Sequence, residues 1–203
     1  MIRAALRLVA VGACALALSG CISLLPKSKP AQLYRFGQTA AAAPGPATGT
    51  VGVLHTNGTF ANEAGGDRIL TLGDGKAAYI AQSRWVAPAA VLWNEAVVRA
   101  FETDNGKVRL VSRGQQTRAA YSLRMDVRNF ETHYDEGADR APTVLVRVRA
   151  VLTSADFTKT TEQVFEAKAP AADNRVGAIV GAYDAAVDAV LGQIVAWTNE
   201  GAR

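Results

Sequence analysis

The chain has 203 residues, with 22 Lys and Arg against 18 Asp and Glu, two Cys and two His, for a formal net charge of +4. That length can bury one good hydrophobic core and is too short for two large domains. The small positive excess, without a concentrated basic stripe, gives no reason to expect a nucleic-acid partner.

Arg3 and Arg7 precede an Ala/Leu/Val-rich run from Leu8 to Leu18, which is the layout of a bacterial secretory leader. The run falls short of the roughly 20 apolar residues that span a bilayer, and Pro26, Lys27 and Lys29 follow it. It ends in Leu18-Ser19-Gly20-Cys21, which resembles the bacterial lipobox. The resemblance implies a diacylglycerol on the Cys21 thiol, cleavage before Cys21 and acylation of the new amino terminus; the plainer alternative is a secretory peptide cut near the same place. Residues 1–20 are then a signal peptide, residues 21–31 a lipidated N terminus and tether, and residues 32–203 a single domain. The tether carries Pro26 and Pro30 and reaches at most about 35 Å. Removing Arg3 and Arg7 leaves 22 − 2 = 20 basic against 18 acidic side chains, a net of +2. With Cys14 lost in the leader and Cys21 lipidated, no thiol is left for a disulfide or a metal, and the core alone must stabilise the domain.

Along the domain, Leu33-Tyr34-Arg35-Phe36 forms a short strand candidate, and the Ala-rich stretch Thr39 to Thr48 with Pro44 and Pro46 reads as a loop. Val51, Val53 and His55 alternate as in a strand, and the Gly/Asn/Asp-rich stretch Asn57 to Asp67 then reads as a turn or exposed loop. Residues 68–72 and 78–81 flank Gly73-Asp74-Gly75-Lys76, a hairpin in which Asp-Gly supplies the positive backbone angles of a tight turn. A helix is predicted from Pro88 to Glu102, with Val91, Leu92, Val97, Val98 and Phe101 at helical spacing, stopped by Asp104-Asn105-Gly106. Strands follow at Val108 to Ser112, Tyr121 to Phe130, Thr143 to Thr153 and Thr161 to Ala167. In the second, Tyr121, Leu123, Met125 and Val127 share one face; in the third, Val144, Val146, Val148, Ala150 and Leu152 do, with Arg147 and Arg149 on the reverse. A final helix from Arg175 to Asn199 carries the stripe Val176, Val180, Tyr183, Val187, Val190, Ile194 and Trp197. The expected fold is α+β, a mostly antiparallel sheet of about five to seven strands with two helices packed on one face.

The succession Arg68-Ile69-Leu70, Tyr79, Arg84-Trp85, Pro88, Leu92-Trp93, Ala100-Phe101-Glu102, then Tyr121-Ser122-Leu123 with Val127 and Phe130, resembles the ABC-type transport auxiliary lipoproteins. These are the small lipoproteins, including the paraquat-inducible protein C type, that serve lipid-transport systems built on mammalian-cell-entry (MCE) domain proteins. The likeness runs from Leu33 to Trp197 and resides in order and spacing, since no element is a catalytic signature. It implies a non-enzymatic, periplasm-facing accessory anchored through Cys21 that binds the MCE subunit.

The residues by themselves also speak against catalysis. A hydrolase needs a nucleophile, a base and an orienting acid; the histidines are His55, in a strand pattern, and His133, in the polar run His133-Tyr134-Asp135-Glu136. No metal-ligand spacing is present, and no cofactor is expected. Gly73-Asp74-Gly75-Lys76 lacks the glycine spacing of a phosphate loop. The candidate partner-binding residues are Arg84 and Trp85, against a Trp packed at the sheet–helix junction with Arg exposed, and Arg124, Arg128, Arg147 and Arg149, against an ordinary solvated sheet face. The four arginines form one basic patch for an acidic partner or anionic lipid if their strands pair, diluted by Asp126. A second function stays open beside the accessory module: a carrier that holds a phospholipid acyl chain between sheet and helices, which needs an unfilled cavity. Ile22 rather than Asp follows Cys21, which favours the outer over the inner membrane. An exposed strand edge leaves homo-oligomer formation open.

Overall fold

The computed structural model describes residues 30–37, 49–111 and 118–202. The chain divides into two compact units, residues 1–30 and 31–203, and every element described lies in the second. Cys21, the leader and the stretch 39–48 fall outside the described residues. The elements are β1 (Gln32–Tyr34), β2 (Val51–Phe60), β3 (Arg68–Gly73), β4 (Lys76–Trp85), α1 (Ala89–Thr103), β5 (Val108–Val111), β6 (Tyr121–His133), β7 (Thr143–Ser154), β8 (Thr160–Pro170) and α2 (Val176–Gly201).

The eight strands form one sheet organised by β6. Along one edge β6 pairs antiparallel with β7, from Tyr121 opposite Ser154 to His133 opposite Thr143, and β7 pairs antiparallel with β8. The other edge of β6 is shared: β2 runs parallel to its first half and β3 runs parallel to its end, where Thr71 and Leu72 face Thr132 and His133. Outside these lie β5, parallel to β2, and β4 and then β1, antiparallel to β3 and parallel to β4 respectively. The α+β class holds, but the sheet is mixed and larger than expected: the pairs β1–β4, β2–β5, β2–β6 and β3–β6 are all parallel. The reason is geometric. Period-two alternation assigns side chains to faces, whereas the direction of a neighbour depends on connections that carry no alternation signal. Here α1 returns the chain so that β5 lies parallel to β2, and residues 61–67 let β2 and β3 follow β6 in the same sense.

The stretch expected as a loop after position 57 instead continues β2 to Phe60. Its register shifts between Asn57 and Phe60, and glycine is needed in that bulge, since a Cβ on Gly58 would stand 1.8 Å from the Met125 carbonyl oxygen. The remainder of the stretch caps a helix. Pro88 gives α1 no side-chain cap, and the Gly66 and Gly65 carbonyls accept the N–H groups of Ala89 at 2.9 Å and Ala90 at 3.3 Å, meeting donors that every helix start leaves open.

The core lies between the sheet's apolar face and the helices. Leu92, Val97 and Phe101 of α1 and Ile179, Tyr183, Val187, Val190 and Ile194 of α2 join Val53, Leu123, Val146, Val148 and Phe165 in one buried cluster, while Val91 and Val98 of α1 face outward. At its centre Phe36, Trp85, Phe130 and Tyr183 pack ring against ring, with centroids 4.7 Å apart for Phe130–Tyr183, 5.0 Å for Phe36–Trp85 and 5.1 Å for Trp85–Tyr183, separations favourable for aromatic pairs. Burial drives the Tyr183 hydroxyl pKa well up, and Thr132 donates a hydrogen bond to it at 3.2 Å. Helix α2 is long and apolar enough to cross a membrane by length and composition, yet its stripe is covered by the sheet, as in the core helix of a folded domain. Its far end is pinned by Asn199, which accepts from the Val108 N–H at 3.0 Å and donates to Asp104 at 2.8 Å.

Candidate functional site

Arg84 and Trp85 end β4 with opposite fates. The Trp85 ring is 2% exposed and belongs to the aromatic centre. The Arg84 guanidinium is about half exposed and pairs with Asp67 at 2.7 Å. Strand alternation separates the two, so of this pair Arg84 alone is presented to solvent.

The β6–β7 pairing brings Arg124, Arg147 and Arg149 onto the face of the sheet opposite the core, with Asp126 across from Arg149 and Asn129 across from Arg147. Strand β8 adds Glu166 opposite Arg147 and, one diagonal step from Arg149, Glu162. The result is a ladder of alternating charge. Arg147 donates from Nε to Glu166 at 2.6 Å, Arg149 donates from Nε to Glu162 at 2.6 Å and reaches Asp126 at 3.4 Å, and Arg124 meets Asp126 at 3.1 Å. Three of the four arginines are therefore engaged with carboxylates. Arg128 sits exposed where the β6–β7 register shifts, close enough to lower the pKa of Glu162, and forms no ion pair among the described residues.

Asp126 is the buried hub of this face at 6% exposure. Its Oδ1 accepts from the Thr59 N–H at 2.9 Å and the Thr59 hydroxyl at 3.0 Å, a contact made possible by the bulge at Gly58. Burial opposes ionisation of Asp126, but Thr59 and the Arg124 guanidinium outweigh it and hold the carboxyl below its usual value. The hydrogen bond to Glu162 raises the pKa of Arg149, and the same bond lowers that of Glu162. Asp126, Glu162 and Glu166 turn four nominal cations into a nearly neutral face. Asp126 was legible as a diluting charge; the two glutamates needed the β7–β8 register, for which their alternation on β8 was the available signal.

Toward the end of β6, Glu131 accepts from Asn129 at 2.8 Å and lies 3.0 Å from His133. His133 is also 3.7 Å from Asp135. The other histidine, His55, is half-buried, and desolvation lowers its pKa. Among the described residues no group of three His, Cys, Asp or Glu side chains is placed to hold a metal ion. Open surface grooves include one of about 430 Å³ between the helices lined by Ala96, Ala100, Leu191 and Val195, one of about 540 Å³ along the outer side of α1 at Val91 and Val98, and one of about 590 Å³ beside Gln32, Tyr134 and Arg175. Between sheet and helices, the ring contacts of the aromatic centre occupy the space that a carrier would give to an acyl chain.

This arrangement defines an α+β domain with a packed aromatic core and an outward face of paired charges. Residues 62–195 match the family described as ABC-type transport auxiliary lipoprotein component, and the chain belongs to that family. Among solved structures, it is similar to protein XCC0632 from Xanthomonas campestris, of family DUF330, with 26% identity and a TM-score of 0.69 over 83% of this chain and 95% of that one. An uncharacterized protein shares the fold at 10% identity and a TM-score of 0.57, over 85% of this chain and 99% of that one. No protein of curated function matches the chain.

Proposed function

We propose that the protein is a non-enzymatic accessory of an ABC-type lipid transport system, anchored in the envelope through lipid on Cys21, facing the periplasm, and binding the MCE-domain subunit. The observation that carries this reading is the family match over residues 62–195, to which the lipobox-like Leu18-Ser19-Gly20-Cys21 adds the anchor. The outer membrane is favoured by Ile22 in place of Asp after Cys21. Arg84 and the Arg124, Arg128, Arg147 and Arg149 face are the surfaces offered to the partner. On that face Arg128 is the cation without an ion-pair partner among the described residues, so contact there relies on matched pairing with an ordered partner more than on attraction to any anionic surface.

In-cell crosslinking of the full-length protein, followed by mass spectrometry, tests the reading. Capture of an MCE-domain subunit is the expected result. Capture of unrelated envelope proteins alone, in cells that contain such a transporter, overturns it, and phospholipid that co-purifies stoichiometrically with the domain transfers the assignment to a lipid carrier. Co-migration with inner-membrane markers on a density gradient overturns the outer-membrane placement.

A further inference from the structure

The hairpin joining β7 to β8 ends in Ser154-Ala155-Asp156-Phe157-Thr158-Lys159, and Phe157 is 82% exposed with φ +60°. Both features are unfavourable. A bulky side chain in the left-handed region crowds its own backbone, and an exposed phenyl ring gains nothing from burial. The last residue of such a turn is ordinarily Gly or Asn, and the tight β3–β4 hairpin follows the rule with Asp74 at φ +50° and Gly75 at φ +70°.

The tip is nonetheless built to hold Phe157 where it is. The Phe157 N–H donates to the Ser154 carbonyl at 2.9 Å, the Ser154 N–H to the Lys159 carbonyl at 2.9 Å, and the Ala155 N–H to the Ala120 carbonyl at 2.9 Å. Asp156 gathers the Ser154 hydroxyl at 2.6 Å, the Thr158 hydroxyl at 2.9 Å and the Thr158 N–H at 3.2 Å. A strained, outward aromatic on a hydrogen-bonded turn is local structure that folding does not call for, and such exceptions concentrate at functional positions.

The geometry points to Phe157 as a preorganised anchor that inserts into an apolar pocket of a protein partner, with Asp156 beside it for a cationic or N–H donor group on the pocket rim. This rests on the transport-accessory reading above, and the partner is the MCE-domain subunit named there. Two observations favour a protein over a bilayer. Asp156, whose carboxyl the Ser154 and Thr158 hydrogen bonds hold below its usual value, stands next to the ring and would enter the interface with it, and no second large apolar side chain accompanies Phe157 at the tip. The tip also lies at the Tyr121 end of β6, whereas β1, where the chain enters the domain, pairs with the Ser83–Trp85 end of β4 and shares a groove with Tyr134, just past the other end of β6. The anchor thus projects from the end opposite that chain entry. A rigid ring loses little freedom on binding, which is what makes aromatic anchors effective.

The test uses the full-length lipidated protein and the MCE-domain subunit of the same cells. Phe157→Gly relieves the backbone strain, so its melting temperature is expected to rise by about 2 °C, while retention of the subunit falls at least tenfold and Phe157→Tyr retains it. Equal retention by Phe157→Gly overturns the anchor and leaves the accessory reading standing. A wild-type protein that retains no subunit overturns the accessory reading and the anchor with it. A photoreactive phenylalanine at position 157 that captures only lipid, or only a second copy of this chain, reassigns the ring and also overturns the proposal.

Discussion

Strands β6, β7 and β8 present two faces made from the same backbone. Toward the helices they offer Leu123, Met125, Phe130, Val146, Val148 and Phe165, all buried. Away from them they offer Arg124, Arg147 and Arg149 interleaved with Asp126, Glu162 and Glu166. The first face supplies the area-dependent burial that holds the domain together without a disulfide. The second is ordered by pairing and contributes far less to stability, because exposed ion pairs exchange solvation and side-chain freedom for a modest Coulomb gain. A row of arginines on one sheet face is thus no basic patch when the next strand carries the acids.

The largest effect that would sharpen this contrast is Phe130→Ala. It removes the ring that touches Phe36, Phe60 and Tyr183 and should cost about 3–5 kcal/mol, read as a lower denaturant midpoint at unchanged m. A cost near that of the open-face variants would break the contrast. Asp126→Asn comes next. It leaves Thr59, Arg124 and Arg149 facing a neutral amide and should cost about 2 kcal/mol. Because the folded carboxyl titrates below its usual value, its contribution is complete above the unfolded pKa of about 4 and is lost as pH falls through the lower folded value. The gap between wild type and Asp126→Asn is accordingly expected to close in acid, and a gap that persists would place the effect in packing rather than charge. Phe157→Gly should act in the opposite direction, stabilising the domain by about 1 kcal/mol; a loss of stability would mean that the turn needs the ring for folding. The smallest effect is the Arg147–Glu166 coupling, at about 0.2–1 kcal/mol in a double-mutant cycle and weaker in high salt. A coupling comparable to the Asp126 effect would show the open face to be a stabilising network.

By itself the sequence determined the elements and their faces. The alternation in Tyr121 to Val127 and Val144 to Leu152 placed the core face of both strands, and the helical spacing placed Leu92, Val97 and Phe101 in the core, because period 2 and period 3.6 are local properties of the backbone. Val91 and Val98 of the same expected stripe face solvent, and Asp126 and Leu145 are buried on the reverse of their strands. Gly73-Asp74-Gly75 announced its hairpin for the same reason, and the ordered run of motifs from Arg68 to Phe130 was enough for the family. Only the tertiary structure decided which strands are parallel, that β2 and β3 share one edge of β6, and that Gly65 and Gly66 cap α1. The α2 stripe also shifted slightly, with Ile179 and Ala186 buried and Val176 and Trp197 at its margin. Only it showed that Glu162 and Glu166 neutralise the arginines and that Phe157 stands strained in solvent at a hairpin tip. Those outcomes depend on which distant segments meet and in what register, and that is settled by the competition among whole packings rather than by any window of the chain.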